Sequence, residues 1–153
     1  MLDQSPDAVT RVTCIGAGPI GGGWAAHFLA RGYHVTSYLH DAAEHGALMR
    51  LLETAWTSLE EIGLAPGASL DNFNWTTDLA EATADAEFIQ ESVPEVLALK
   101  QALYRTLGEI VDARVVIASS TSGLSMTDIQ ADCATPERTV VAHPFNPPYL
   151  LPL

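Results

Sequence analysis

The sequence predicts an α/β protein, a doubly wound parallel sheet in a single domain. Three observations predict it. Short β-branched runs alternate with helix-like stretches along the 153 residues, the pattern that βαβ units produce. Those runs are apolar on both faces, as strands covered by helices on each side must be. The first run stops at a cluster of glycines, and a helical pattern starts directly after it.

The elements follow in order. R-V-T-C-I (11–15) is a buried parallel strand. Residues 20–31 carry Ile20, Trp24, Phe28 and Leu29 at near-helical spacing, and Gly32 caps that helix. H-V-T-S-Y-L (34–39) is the second strand, after which Asp41 suits an N-cap. Leu48, Leu51, Leu52, Ala55, Trp56, Leu59 and Ile62 form one stripe, so a long amphipathic helix runs to Ile62. The turn-rich 64–72 ends it, and F-N-W-T (73–76) is a short strand. Residues 77–82 form a short helix opened by Thr77 or Asp78, and 86–92 form the next strand. Pro94 is expected in the first turn of a helix that continues through Leu97, Leu103, Leu107 and Ile110. R-V-V-I-A-S (114–119) is a strand, and Thr121–Leu124 a loop. Ser125 or Thr127 caps a short helix ending near Cys133. R-T-V-V-A-H (138–143) is the last strand, halted by N-P-P. Six strands with right-handed crossovers fit the order 3-2-1-4-5-6.

Residues 1–10 read as a flexible polar lead and 11–153 as the domain, with no repeat or low-complexity tract. The composition, 48% hydrophobic and 17% charged, excludes a disordered chain, a collagen and a disulfide scaffold. Cys14 and Cys133 lack any zinc-like spacing and suit reduced core thiols, so no metal site is expected. The net charge of −12 repels nucleic acid and anionic lipid. No apolar run is long enough for a membrane helix, and the N-terminus has no secretory pattern, so a cytoplasmic protein is expected. The apolar close Y-L-L-P-L suggests a domain cut from a longer protein.

Gly16-Ala17-Gly18-Pro19-Ile20-Gly21 is a G-x-G-x-x-G between a strand and a helix, the context that gives the motif meaning. Gly16 permits the tight turn, Gly18 lets backbone approach a pyrophosphate, and Gly21 lets helix press on strand. The helix N-terminus adds amides and partial positive charge for the anion. This is a Rossmann-type dinucleotide site. Its usual acidic residue, at the end of the second strand, falls on Leu39. His40 or Asp41 could replace it at the adenosine ribose, and Asp41 could equally serve only as a cap. NAD is the expected cofactor. NADP stays open because of Leu39, although no Arg stands near that strand end.

Four stretches in order, GAGPIGGGWAAHFLARGYHV, IQESVPE…LK, SSTSGL and VVAHPFNPPYLLPL, resemble the NAD-binding domain of the L-3-hydroxyacyl-CoA dehydrogenase superfamily over residues 10–153. The resemblance implies hydride transfer from a 3-hydroxyl to nicotinamide. It places the proton-accepting histidine at His143, substrate-oxygen contacts at Ser122 and Asn146, and cofactor contacts at Glu95 and Lys100. It also implies a homodimer in the full-length enzyme and a C-terminal helical domain, with a carboxylate partner for the histidine, beyond Leu153. The chemistry suits these residue types. Imidazole titrates near neutral pH, and a serine hydroxyl can donate to an oxygen gaining charge. His143 could instead cap a strand end, Ser122 and Asn146 could be turn residues, and Lys100 a solvated helix residue. Between Arg31 and Lys100 the only Lys or Arg is Arg50. Coenzyme A phosphates need more cationic contacts than that. A small zwitterionic hydroxy acid such as carnitine is therefore the expected substrate, with an acyl-CoA ester or a nucleotide-binding module without catalysis as alternatives.

Overall fold

The computed structural model describes Ser5 and residues 8–152. The expected N-terminal lead lies largely outside the described residues. The strands are β1 (Arg11–Ile15), β2 (His34–Tyr38), β3 (Phe73–Thr76), β4 (Phe88–Glu91), β5 (Val116–Ser119) and β6 (Thr139–Val141). The helices are α1 (Pro19–Ala30), α2 (His45–Ile62), α3 (Leu79–Thr83), α4 (Leu97–Ile110) and α5 (Met126–Ile129). All strand pairs are parallel, in the order β3-β2-β1-β4-β5-β6. That is the order expected for the six strands of a dinucleotide-binding sheet.

β1 sits at the centre, with Val12 paired to Val35 on one side and Phe88 on the other. Its alternate residues feed two cores. Val12 and Cys14 pack with Trp24, Leu29, Leu48 and Leu52 under α1 and α2. Ile15 packs with Ile89, Tyr104, Leu107 and Ile117 under α4. Both cysteines are free and buried, and burial pushes the Cys14 thiol well above its ordinary value. α1 ends as expected: Gly32 takes φ +85°, Tyr33 N–H donates to Phe28 C=O, and Gly32 N–H to Leu29 C=O.

The structure corrects four expectations, three at element ends and one of burial. Pro94 is not in a helix turn, because α4 begins three residues later at Leu97. The intervening backbone is held elsewhere: Val93 N–H donates to the Glu91 carboxylate, and Val93 C=O accepts from Lys100 Nζ. The helix capped by Ser125 stops at Ile129, and Cys133 follows in a turn. The last strand starts at Thr139, because Arg138 turns inward within the 3-10 turn Pro136–Arg138. Its buried guanidinium donates to the carbonyls of Leu107, Val111, Asp112 and Val115, satisfying the C-terminal end of α4. Lys100 is 1% exposed, not solvated.

At the amino end of the sheet, Arg11 pairs with Glu87 at 2.7 Å and Arg114 with Asp112 at 2.8 Å. The carboxyl ends of β1, β2, β4, β5 and β6 open on the opposite side, where the site lies. Among the described residues no helix is long and apolar enough to cross a membrane.

Candidate active site

Between β1 and α1 the chain turns through Gly16 at φ +108°. A Cβ on Gly16 would lie 2.7 Å from the Ser92 carbonyl, and one on Gly21 only 2.0 Å from the Gly16 carbonyl. Both positions therefore need glycine for the protein's own packing. Gly18 differs, since a Cβ there would meet nothing within 4 Å. The space over Gly18 opens into a cavity of about 840 Å³, within the range of small-molecule sites. Pro19 opens α1 without a side-chain cap, so the first-turn amides of Ile20 and Gly21 are unclaimed by the helix ladder. These features fit a dinucleotide: room at Gly18, amides for a diphosphate, and a long cleft with apolar walls from Leu99, Ala102 and Leu103.

The end of β2 forms one wall. Leu39 is 0% exposed and belongs to the core. His40 lines the cavity; Asp41 does not. Asp41 accepts the Ala43 N–H at 2.8 Å and opens the 3-10 turn Ala42–Glu44 that leads into α2. Glu44 completes this capping box: its Oε2 accepts from the His40 N–H at 3.0 Å and the Asp41 N–H at 3.4 Å. Glu44 lines the cavity beside His40.

The β4 edge carries a buried ion pair. Glu91, 0% exposed, accepts from Lys100 Nζ at 2.6 Å through Oε1 and from Ser119 Oγ at 2.5 Å through Oε2. Lys100 Nζ also lies 3.6 Å from Glu95 Oε2. Glu95 reaches across to the loop after β5. Its Oε1 accepts from Thr121 Oγ1 at 2.5 Å and from the amides of Ser122 and Gly123 at 3.0 Å each. Partial burial acts to raise the Glu95 pKa. The Thr121, Gly123 and Ser122 hydrogen bonds and the Lys100 charge outweigh it and hold the carboxyl near about 2.

His143 follows β6 and shares the cavity with Ser120 and Ser122. Its Nδ1 lies 3.1 Å from the Ser120 carbonyl. A carbonyl can only accept, so Nδ1 is the donor in this bond, and Nε2 is not part of it. Ser120 is a junction: its Oγ accepts from Trp24 Nε1 at 3.1 Å and Gln90 Nε2 at 2.9 Å, and contacts Ser92 Oγ at 2.8 Å. The segment after His143 is seated against α1, where a Cβ on Gly23 would lie 2.6 Å from Pro148 Cδ.

Of the residues singled out from sequence, Gly16, Gly18, Pro19, Ile20, His40, Glu95, Lys100, Ser122 and His143 line the same cavity. Gly21 underlies the turn. Asn146 is exposed and does not line the cavity. Sequence reasoning missed Glu91, Glu44 and Ser120. Glu91 had a signal, since a carboxylate closing the apolar run of β4 needs a buried partner. Glu44 had one in the D-x-x-E spacing from Asp41, which marks a capping box but not a cavity wall.

The strand order, the glycine turn and the cleft at the carboxyl edge together define a dinucleotide-binding domain. The chain belongs to the 3-hydroxyacyl-CoA dehydrogenase, NAD binding domain family, which matches residues 11–153. It is 57% identical over 151 residues to the L-carnitine dehydrogenase of Streptomyces griseus, covering 97% of this chain and 44% of that protein. It is 46% identical over 153 residues to the L-carnitine dehydrogenase of Bacillus cereus, covering 99% and 46%. The chain thus spans less than half the length of these curated relatives. In structure it resembles an NAD+-dependent 5-formyl-3-hydroxy-2-methylpyridine 4-carboxylic acid 5-dehydrogenase, with TM-score 0.83 and 35% identity over 92% of this chain and 46% of that one. It also resembles the 3-hydroxybutyryl-CoA dehydrogenase of Escherichia coli K12, with TM-score 0.82 and 28% identity over 91% and 30%.

Proposed function

We propose that this chain is the nucleotide-binding part of an NAD-dependent dehydrogenase that oxidises the 3-hydroxyl of a small L-3-hydroxy acid, with carnitine as the substrate. The observation that carries the reading is the single cleft that joins the open backbone at Gly18 to His143 and Ser122. Gly16, Gly18 and the amides of Ile20 and Gly21 hold the diphosphate, and Glu95 and Lys100 flank the far end of the cleft. NAD, when bound, supplies the acceptor for the hydride from the substrate's C3. His143 takes the hydroxyl proton on Nε2, while the Ser120 carbonyl holds Nδ1–H and fixes the ring. Ser122 Oγ donates to the substrate oxygen as it becomes a carbonyl. Glu95 fixes the loop that carries Ser122 by taking its amide. The neutral tautomer suits a base, and a carboxylate from the rest of the enzyme would further stabilise the imidazolium.

The choice of carnitine over an acyl-CoA ester rests on charge. Among the described residues Lys100 is the only Lys or Arg on the cavity wall, and Glu91 and Glu95 already neutralise it. A coenzyme A phosphate finds no free cation there, whereas a quaternary ammonium tolerates carboxylates and aromatic faces.

Calorimetry with NAD, followed by assays of this chain and of the complete enzyme with carnitine and with 3-hydroxybutyryl-CoA, tests the reading. NAD binding with carnitine turnover by the complete enzyme supports it. Turnover of the thioester but not of carnitine overturns the substrate. In the complete enzyme, His143→Ala lowers kcat by about 10²–10⁴-fold with NAD affinity nearly unchanged. Unchanged turnover removes His143 from the proton-transfer role.

A further inference from the structure

Leu39 leaves the end of β2 without the carboxylate that dinucleotide-binding domains place there for the adenosine ribose. We propose that Glu44 takes over this role, accepting the ribose hydroxyls of NAD and repelling the 2′-phosphate of NADP. The proposal rests on the NAD-binding reading above and adds the residue that sets cofactor choice.

Four side chains compete for the position. Leu39 is 0% exposed and lies in the core. Asp41 spends its carboxylate on the Ala43 N–H and stays off the cavity wall. His40 lines the wall but brings no negative charge. Glu44 lines it too, and its carboxylate is already oriented. Oε2 is clamped by two backbone amides, those of His40 and Asp41. A carboxylate offers about four lone-pair directions. Oε2 uses two of them, and Oε1 accepts no side-chain or backbone hydrogen bond recorded among the described residues. The group is therefore held in place with an acceptor oxygen left for a vicinal diol.

The surroundings favour NAD for the same reason. A monoester phosphate carries about −1.5 to −2 charge at neutral pH and seeks a guanidinium. Arg50, the only Lys or Arg between Arg31 and Lys100, is not on the cavity wall. A 2′-phosphate at this end would meet the Glu44 carboxylate, while the Arg50 guanidinium lies by Gly46, off the cavity wall among the described residues. The capping box thus does two tasks. It starts α2, and it moves a negative charge from the strand end to the helix entrance five residues on.

The test is calorimetric titration of NAD and NADP into the wild type, Glu44→Gln and His40→Ala. Glutamine keeps the acceptor oxygen that a capping box uses, so the fold persists, and a melting curve checks that it does. The wild type binds NAD more tightly than NADP. In Glu44→Gln the ratio of the NADP Kd to the NAD Kd falls at least about tenfold, equivalent to about 1.4 kcal/mol, while His40→Ala leaves the ratio unchanged. Should the glutamine variant melt early, a structure of the wild type with NAD decides: Glu44 Oε1 lies within hydrogen-bond reach of the adenosine ribose hydroxyls. A ratio unaffected by Glu44→Gln, one that moves only in His40→Ala, or a Glu44 carboxylate turned away from the ribose overturns the proposal. A wild type that binds neither nucleotide overturns the NAD-binding reading itself, a result distinct from those three.

Discussion

Glu95 holds the loop after β5 through one oxygen, while the other faces Lys100. Oε1 gathers the Thr121 hydroxyl and two consecutive amides, and so fixes the turn that presents Ser122. The same bonds make the turn acid-sensitive. The carboxyl is lowered from the ordinary value of 4.5 to about 2 in the folded chain. Its contribution to stability is complete above about pH 4.5 and is lost as the pH falls through about 2. The side chain is 40% exposed, so solvent screening keeps that contribution small. Urea unfolding followed down through this window shows a falling midpoint in the wild type and a flatter limb in Glu95→Gln. Identical limbs in both proteins contradict the link. The spacing from Glu95 to Lys100 was legible in sequence, whereas the β5 loop as the target of Glu95 was not. That contact joins residues 27 positions apart, and no local pattern encodes it.

At the scale of elements, the glycine turn divides into residues the protein's own packing needs and one whose open side faces the cavity. Gly18 has extended backbone, φ −70° and ψ −179°, which any residue can adopt. Its Cβ would meet open space, while that of Gly21 would collide with backbone. Gly18→Ala therefore unfolds within about 0.5 kcal/mol of the wild type yet binds NAD at least about tenfold more weakly. Gly21→Ala loses both stability and binding. Melting curves paired with NAD titration separate the two, and a Gly18→Ala protein with full affinity means the diphosphate does not approach there. The motif made these roles readable because its chemistry is local. The start of α4 was less readable. Pro94 suits a first turn by propensity, but the ties from Val93 to Glu91 and Lys100 hold it outside the helix.

Across the whole molecule, alternation made the parallel, doubly wound sheet legible, since both faces of every inner strand must be buried and crossovers keep one hand, and the glycine turn pointed to the dinucleotide-binding strand order. Long-range polar partners were the part the sequence concealed. Arg138 looks like the first residue of β6, and only the assembled fold reveals it as the cap of α4. Glu91 and Lys100 likewise meet only when α4 folds over the sheet. Because the cleft is built by loops from five strands, a nucleotide bound there stabilises the domain as a unit. NAD at one hundred times its Kd adds about 2.7 kcal/mol, which raises the Tm by roughly 5–10 °C for a domain of this size. Scanning calorimetry checks the figure, and an unmoved transition means that the nucleotide does not engage the folded cleft. The sheet also has a polarity that an engineer can use. Its amino-end rim, with the Arg11–Glu87 and Asp112–Arg114 pairs, faces away from every residue of the cleft. A tether to an electrode or bead attached at that rim would leave the mouth of the cleft pointing outward into the flow.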